Sequence, residues 1–470
     1  MRENQFIQNL HHLSPKELAD FSLHLKAQRP RATVIRTVFN YIRKLYPDFQ
    51  SSKHLSLSYA SDKLLGPNAN RKRLLNTLAE LNALLKDFLV WQKVKSQDFV
   101  YEYALLEQYK DRQMDKAFFQ LSQQMIKKYA AQSTHSIWHY LQMMMLYRSR
   151  FFHPNSPKLD PRDSLPQQSL SFLNQFYEGA RLRLATELLN RQKILSDAPT
   201  DLTKVPDAPN PIPSFSNPLI ALYQQVYQLE KEQEEKVYFP LKKHFFELLE
   251  LQSLSIDDQY FVFLHLINFT SAQIKQGQSA FLQEAFDIYQ KGMQHQLLVQ
   301  GMFFTPTNFS NIVNIACRLK RFQWATYFIQ AYQIHLPLSV RESATQISFA
   351  MIHFEQGEFD KTLEHLQNLT YADTFYELRA RALRLRCYLE LEESISLILH
   401  YCRSFEQFIR RNRRIKGNNA AASFHFIQLI KYLVRRKTKK EELQAYLDQA
   451  QPLFFKTWLQ EKINRYKPIQ

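Results

Sequence analysis

His135 and His139 stand four apart in the stretch HSIWH, one helical turn and a spacing that can hold a metal ion. The residues between them, Ser136, Ile137 and Trp138, supply no third ligand, so the pair reads as two ordinary helix histidines. Glu364 and His365 are adjacent and leave a helix on different sides, which makes no acid–base pair. No HExxH, phosphate-binding loop, GxGxxG or GxSxG pattern occurs. Neither a cofactor nor a metal is expected. The chain reads as non-enzymatic, with only a site assembled from distant residues left open.

Cationic side chains give a more specific signal. Residues 401–440 hold twelve Lys or Arg against a single acid, Glu406, in a chain whose net charge is +17. One cluster, RRNRRIKG, contains Arg410, Arg411, Arg413, Arg414 and Lys416; a second, RRKTKK, contains Arg435 and Arg436. Arg379 and Arg386 are seven apart, hence on one face of the preceding helix. Cations at a helix C-terminus are favoured by the helix dipole, by about 0.3–1 kcal/mol each, and so many exceed that need. A solvated basic face accounts for them, and so does a surface for an acidic protein, a peptide or nucleic acid. Phe408 and Phe424 lie outside the basic run, so aromatic interleaving for single strands is weak. A further trio, Arg71, Lys72 and Arg73, opens a helix, where positive charge opposes the dipole and phosphates would relieve it.

What must position these residues is helical. Seven glycines in 470 residues are too few for a fold built on hairpins and bulges, while 45% hydrophobic and 22% charged residues indicate a folded chain. Three widely spaced cysteines, Cys317, Cys387 and Cys402, fit a reducing compartment. The N-terminal stretch MRENQFIQNLHHL lacks the apolar core of a signal peptide, and no apolar run approaches the length of a membrane span. The expectation is a cytoplasmic protein.

Residues 1–95 read as a small helical module. Ser14, Pro15 and Glu17 make a helix start with a capping box. Leu74, Leu78, Leu81, Leu85 and Phe88 recur on one face of a long helix. Residues 96–195 read as helical hairpins, with the Met143–Met145 run either core or an adaptable surface. The segment 196–218, with Pro199, Pro206, Pro209, Pro211, Pro213 and Pro218, reads as a linker or loop. Residues 219–470 read as helical repeats with a basic C-terminal part.

Three segments of that last region align: FLQEAFDIYQKGMQHQLL, KRFQWATYFIQAYQIHLP and QGEFDKTLEHLQNLTYAD. Each has a small residue, Ala285, Ala325 or Thr362, followed four later by Tyr289, Ile329 or Leu366. The small residues are 40 and 37 apart, a period belonging to stacked helix pairs. A fainter copy has Ala117 and Leu121. Gly357 fits the abrupt end of a first helix, where a left-handed residue lets the chain reverse. Phe359 can fold back over that turn, and Thr362 permits a close helix approach.

FEQGEFDKTLEHLQNL resembles the middle of a tetratricopeptide repeat, with Gly357 at the turn, Phe359 after it, Thr362 where that family usually has alanine, and Leu366 and Leu369 on the second helix. KRFQWATYFIQAYQIHLP is similar through Phe322, Ala325 and Pro337, with Lys320 in place of the turn glycine. The likeness covers roughly 255–410, and faintly 98–130, and its spacing exceeds the family's roughly 34 residues. The chain as a whole also resembles proteins from Bacteroidota, a likeness that brings no function with it. The repeat resemblance implies a curved scaffold whose first helices line a groove for peptides or partner helices. The expected fold is therefore all-α, an α-hairpin solenoid with a small N-terminal helical module. The leading expectation is a scaffold for an acidic protein or peptide. The alternative is a nucleic-acid-associated regulator with residues 1–95 on DNA.

Overall fold

The computed structural model describes residues 4–28, 33–46, 49, 53–66, 71–134, 136–156, 164–194, 217–299, 304–367, 369–371 and 373–467. Of the proline-rich stretch 196–218, residues 196–216 lie outside them, as does His135. The described residues form α-helices with short 3-10 turns and no strand. They fall into two compact units. One comprises Met1–Gln132 and His139–Asn174, the other Ser133–Trp138 and Gln175–Gln470.

The first unit contains two cores. In the N-terminal one, α1 (Gln5–His11), α2 (Pro15–Gln28), α3 (Thr33–Arg43) and α4 (Leu57–Leu65) each pack on α5 (Arg71–Ser96). The stripe Leu74, Leu78, Leu81, Leu85 and Phe88 is the buried face of α5. Phe21 sits against it, 5.1 Å from the Phe39 ring and 5.4 Å from Phe88. The capping box at α2 is complete: Glu17 N–H donates to Ser14 Oγ at 3.2 Å, and Ser14 N–H to Glu17 Oε2 at 2.7 Å. These bonds from Ser14 hold the Glu17 carboxyl below its ordinary pKa. The second core joins α6 (Asp98–Asp111), α7 (Asp115–Ala130) and the body of α8 (Ile137–Phe151) through Leu106, Phe118, Met125, Met143 and Leu146. Met143 thus belongs to the core.

Besides Ser133–Trp138, the second unit runs from Gln175, within α9 (Leu165–Ile194), to the end of the chain. It continues as α10 (Pro218–Glu232) with α11 (Glu235–Glu250), α12 (Ile256–Lys275) with α13 (Ala280–Gln294), and α14 (Pro306–Arg318) with α15 (Phe322–Tyr332). There follow α16 (Leu338–Glu355) with α17 (Phe359–His365), α18 (Thr374–Glu390) with α19 (Ile395–Arg411), α20 (Gly417–Arg435) with α21 (Lys440–Gln449), and α22 (Lys456–Asn464). Extensive backbone contact from α10 onward joins helices one or two places apart in the chain.

The turns explain why the helices alternate. At the end of α16, Gly357 has φ +80°, Gly357 N–H donates to Phe354 O at 3.0 Å, and Glu358 N–H to His353 O at 2.9 Å. This is the Schellman arrangement, and Phe359 closes it by meeting the Phe354 ring at 5.3 Å. The same left-handed residue with its six-residue backbone bond occurs without glycine at Gln113, Gln252, Gln296, Lys320 and Glu392. Ala285, Ala325 and Thr362 are fully buried at the start of α13, α15 and α17, where their small side chains let the paired helices close up. At Gly292 the approach is tighter still: a Cβ there would lie 2.5 Å from the Phe263 ring of α12.

Candidate functional site

The cationic residues divide into three environments. Arg410 and Arg411 end α19, Asn412 caps it, and Arg413, Arg414 and Lys416 occupy the turn into α20. These five cations are exposed. Three of them, Arg410, Arg413 and Lys416, line an open depression of about 400 Å³ together with Asn412, and its apolar lining comes from Ile409, Ile415, Ala420 and Phe424. The Arg410 guanidinium lies over the Phe424 ring at 5.5 Å. Ile409 and Ile415 are buried beneath, and their burial holds the turn in place.

Arg435 and Arg436 are also exposed but belong elsewhere. They end α20, whose 19 residues put roughly 27 Å of helix between them and the first cluster. Two basic runs that are close in the text are thus at opposite ends of one rod. Arg379 is exposed on α18, its guanidinium 6.0 Å from the Tyr376 ring.

Arg386 does not belong to a surface at all. It shares the face of Arg379, but α22 and the turn before it cover that face two turns further on. The Arg386 guanidinium is enclosed by Phe354 at 4.0 Å, Phe455 at 4.5 Å and Trp458 at 5.0 Å. Glu355 Oε1 is 3.6 Å away, and Arg386 Nε has no hydrogen-bond partner. Burial outweighs the nearby carboxylates and brings its pKa down to about 10. The same contact is fastened by Glu390, which accepts from the Trp458 indole N–H at 2.6 Å and pairs with Lys462. Arg386 is therefore a tie between α16, α18 and α22, and the expectation that it contributes to a basic surface is corrected.

Arg71, Lys72 and Arg73 are exposed on the first turn of α5, which contains no acid. His139 is buried, its ring 5.8 Å from Tyr140 and 6.5 Å from Phe172. No group of three His, Cys, Asp or Glu among the described residues is placed to hold a metal.

Sequence reasoning missed two buried polar clusters on α9, α10 and α12. In one, Asp258 accepts hydrogen bonds from Arg183 Nη1 at 3.2 Å, Ser255 Oγ at 2.6 Å and the Tyr223 hydroxyl. Burial raises the pKa of this carboxyl despite those donors. In the other, His265 Nδ1 is 2.6 Å from Glu230 Oε1 and His265 Nε2 is 3.7 Å from Glu187 Oε1, while Lys193 Nζ is 2.6 Å from Glu230 Oε2. Burial opposes the imidazolium, yet the Glu187 and Glu230 carboxylates outweigh it and raise the His265 pKa. Burial likewise opposes the Glu230 carboxylate, but His265 and Lys193 bring its pKa down. Both ring nitrogens face carboxylates, an arrangement that holds charge and leaves neither for a substrate. The signal was present in the sequence: Tyr223 and Glu230, and Asp258 and His265, are each seven apart, two polar layers on otherwise apolar helix faces.

Comparisons with protein-family models, with curated proteins and with solved structures found no match. No described helix is long and apolar enough to cross a membrane.

Proposed function

We propose that this chain is a non-enzymatic, cytoplasmic helical-repeat scaffold. In this reading residues 219–470 are tetratricopeptide-like hairpins stacked as a solenoid, and an acidic protein or peptide binds at the basic turn between α19 and α20. Support for the stack comes from the Schellman turns, the buried small residues at 285, 325 and 362, and extensive backbone contacts between helices one or two places apart in the chain. The observation that carries the binding reading is the exposed group Arg410, Arg411, Arg413, Arg414 and Lys416, with no acid among them, of which Arg410, Arg413 and Lys416 line a depression that is partly apolar. Such a surface attracts anions at long range and offers contact area at short range.

The test is a binding titration at low salt with a labelled Glu-rich peptide. Charge reversal at Arg410 and Arg413 (R410E/R413E) abolishes binding, while reversal at Arg435 and Arg436 leaves most of it. Duplex DNA serves as the opposing probe. Tight binding to DNA that is lost in R71E/R73E, with the peptide ignored, would overturn the scaffold reading in favour of a regulator that uses α5 on DNA.

A further inference from the structure

The basic turn and its depression say more about the occupant than that it is acidic. Resting on the acidic-partner reading, we infer that the depression between α19 and α20 seats one aliphatic side chain of an extended peptide, with carboxylates of the neighbouring residues paired to Arg410, Arg413 and Lys416. Ala420 and Phe424 give it apolar walls over a floor of the buried Ile409 and Ile415, surface that a purely polyanionic ligand would leave unused. The three cations stand on its rim, so a carboxylate one residue before or after an anchor meets a positive charge.

A nucleic-acid strand suits this surface less well. Single strands bind by stacking bases on open aromatic faces along a basic groove. Here the aromatic ring of the depression, Phe424, already carries the Arg410 guanidinium at 5.5 Å. The second basic run, which would extend a phosphate track, is at the other end of α20. The cations instead converge on one small depression, the geometry of a single anchored residue and its flanks.

The experiment measures fluorescence anisotropy of the full chain with three labelled peptides of equal length: Glu-rich with a central Leu, the same with a central Ala, and a Gln-substituted version of the Leu peptide. The Leu peptide is expected to bind about tenfold more tightly than the Ala peptide. The Gln version fails to bind. Filling the depression with A420F, folding being checked by circular dichroism, removes the preference for Leu while acidic peptides still bind. Equal affinity for the Leu and Ala peptides in the wild-type chain, both lost in R410E/R413E, overturns the anchor and leaves the acidic-partner reading standing. Failure of both acidic peptides to bind overturns that reading as well. Displacement of the Leu peptide by a single-stranded oligonucleotide at a lower concentration than by unlabelled peptide shows that the surface is made for phosphates.

Discussion

A left-handed residue at a helix end costs an L-amino acid roughly 1–2 kcal/mol that glycine avoids. This chain accepts that cost at Gln113, Gln252, Gln296, Lys320 and Glu392, whose φ values lie between 51° and 58°, and avoids it at Gly277 and Gly357. Space is not the issue at Gly357, where a Cβ would meet nothing within 4 Å. G357A should therefore lower stability by about 1 kcal/mol, and K320G should raise it by a comparable amount, in urea denaturation. If both substitutions act in the same direction, backbone strain is not what distinguishes these turns. The three thiols give a second residue-scale expectation. Cys317, Cys387 and Cys402 are buried, and burial pushes each pKa up to about 12. A thiol-specific reagent at pH 8 should titrate them only after denaturant is added; rapid labelling of the native chain would contradict their packing.

Between elements, the decisive interaction is the buried cluster joining α9, α10 and α12. His265, with Glu187 facing it from α9 and Glu230 from α10, has a folded pKa above its unfolded value of about 6.5. Its contribution is thus full below that unfolded value and is lost as pH rises through the folded one. Glu230, with its pKa lowered, contributes above its unfolded value of about 4.5 and loses that contribution as pH falls through the folded one. The cluster therefore stabilises most between about pH 5 and 6.5. H265Q should cost about 3 kcal/mol at pH 6 and clearly less at pH 9, read from denaturation midpoints at each pH. An equal cost at both would show that the imidazole acts through shape and not charge. Helices with a regular apolar period, such as α5 with its Leu74 to Phe88 stripe, were legible because burial writes its own period into the chain. The Gly357 turn was legible for its residue type, and the Lys320 turn only by alignment with it. The His265 cluster was hidden because it needs three helices brought together, although Glu230 and His265 on apolar faces were its trace. Arg386 misled because its cover, Trp458, is 72 positions further along the chain. Local charge spacing says nothing about a helix that returns.

For the molecule as a whole, the pattern from α10 to α22 matters most. Extensive helix contacts there join near neighbours; in the proposed stack, stability accumulates from such short-range interfaces and a local injury stays local. The return of α22 onto α18 is the longer tie, made by Trp458 on Arg386 and Glu390 and by Lys462 on Glu390. W458A removes a cage wall and the indole hydrogen bond together at a half-buried position, a loss of about 2 kcal/mol, below that of a fully buried Trp→Ala change. Hydrogen exchange followed by mass spectrometry should then show faster exchange in α20, α21 and α22 and in the last turns of α18. Peptides from α10 to α13 should exchange as in the wild-type chain, because among the described residues no extensive helix contact joins them to α22. Exchange that accelerates evenly from α10 to α22 would mean that the unit unfolds as one cooperative body, and a stack of separable hairpins would be the wrong description of it.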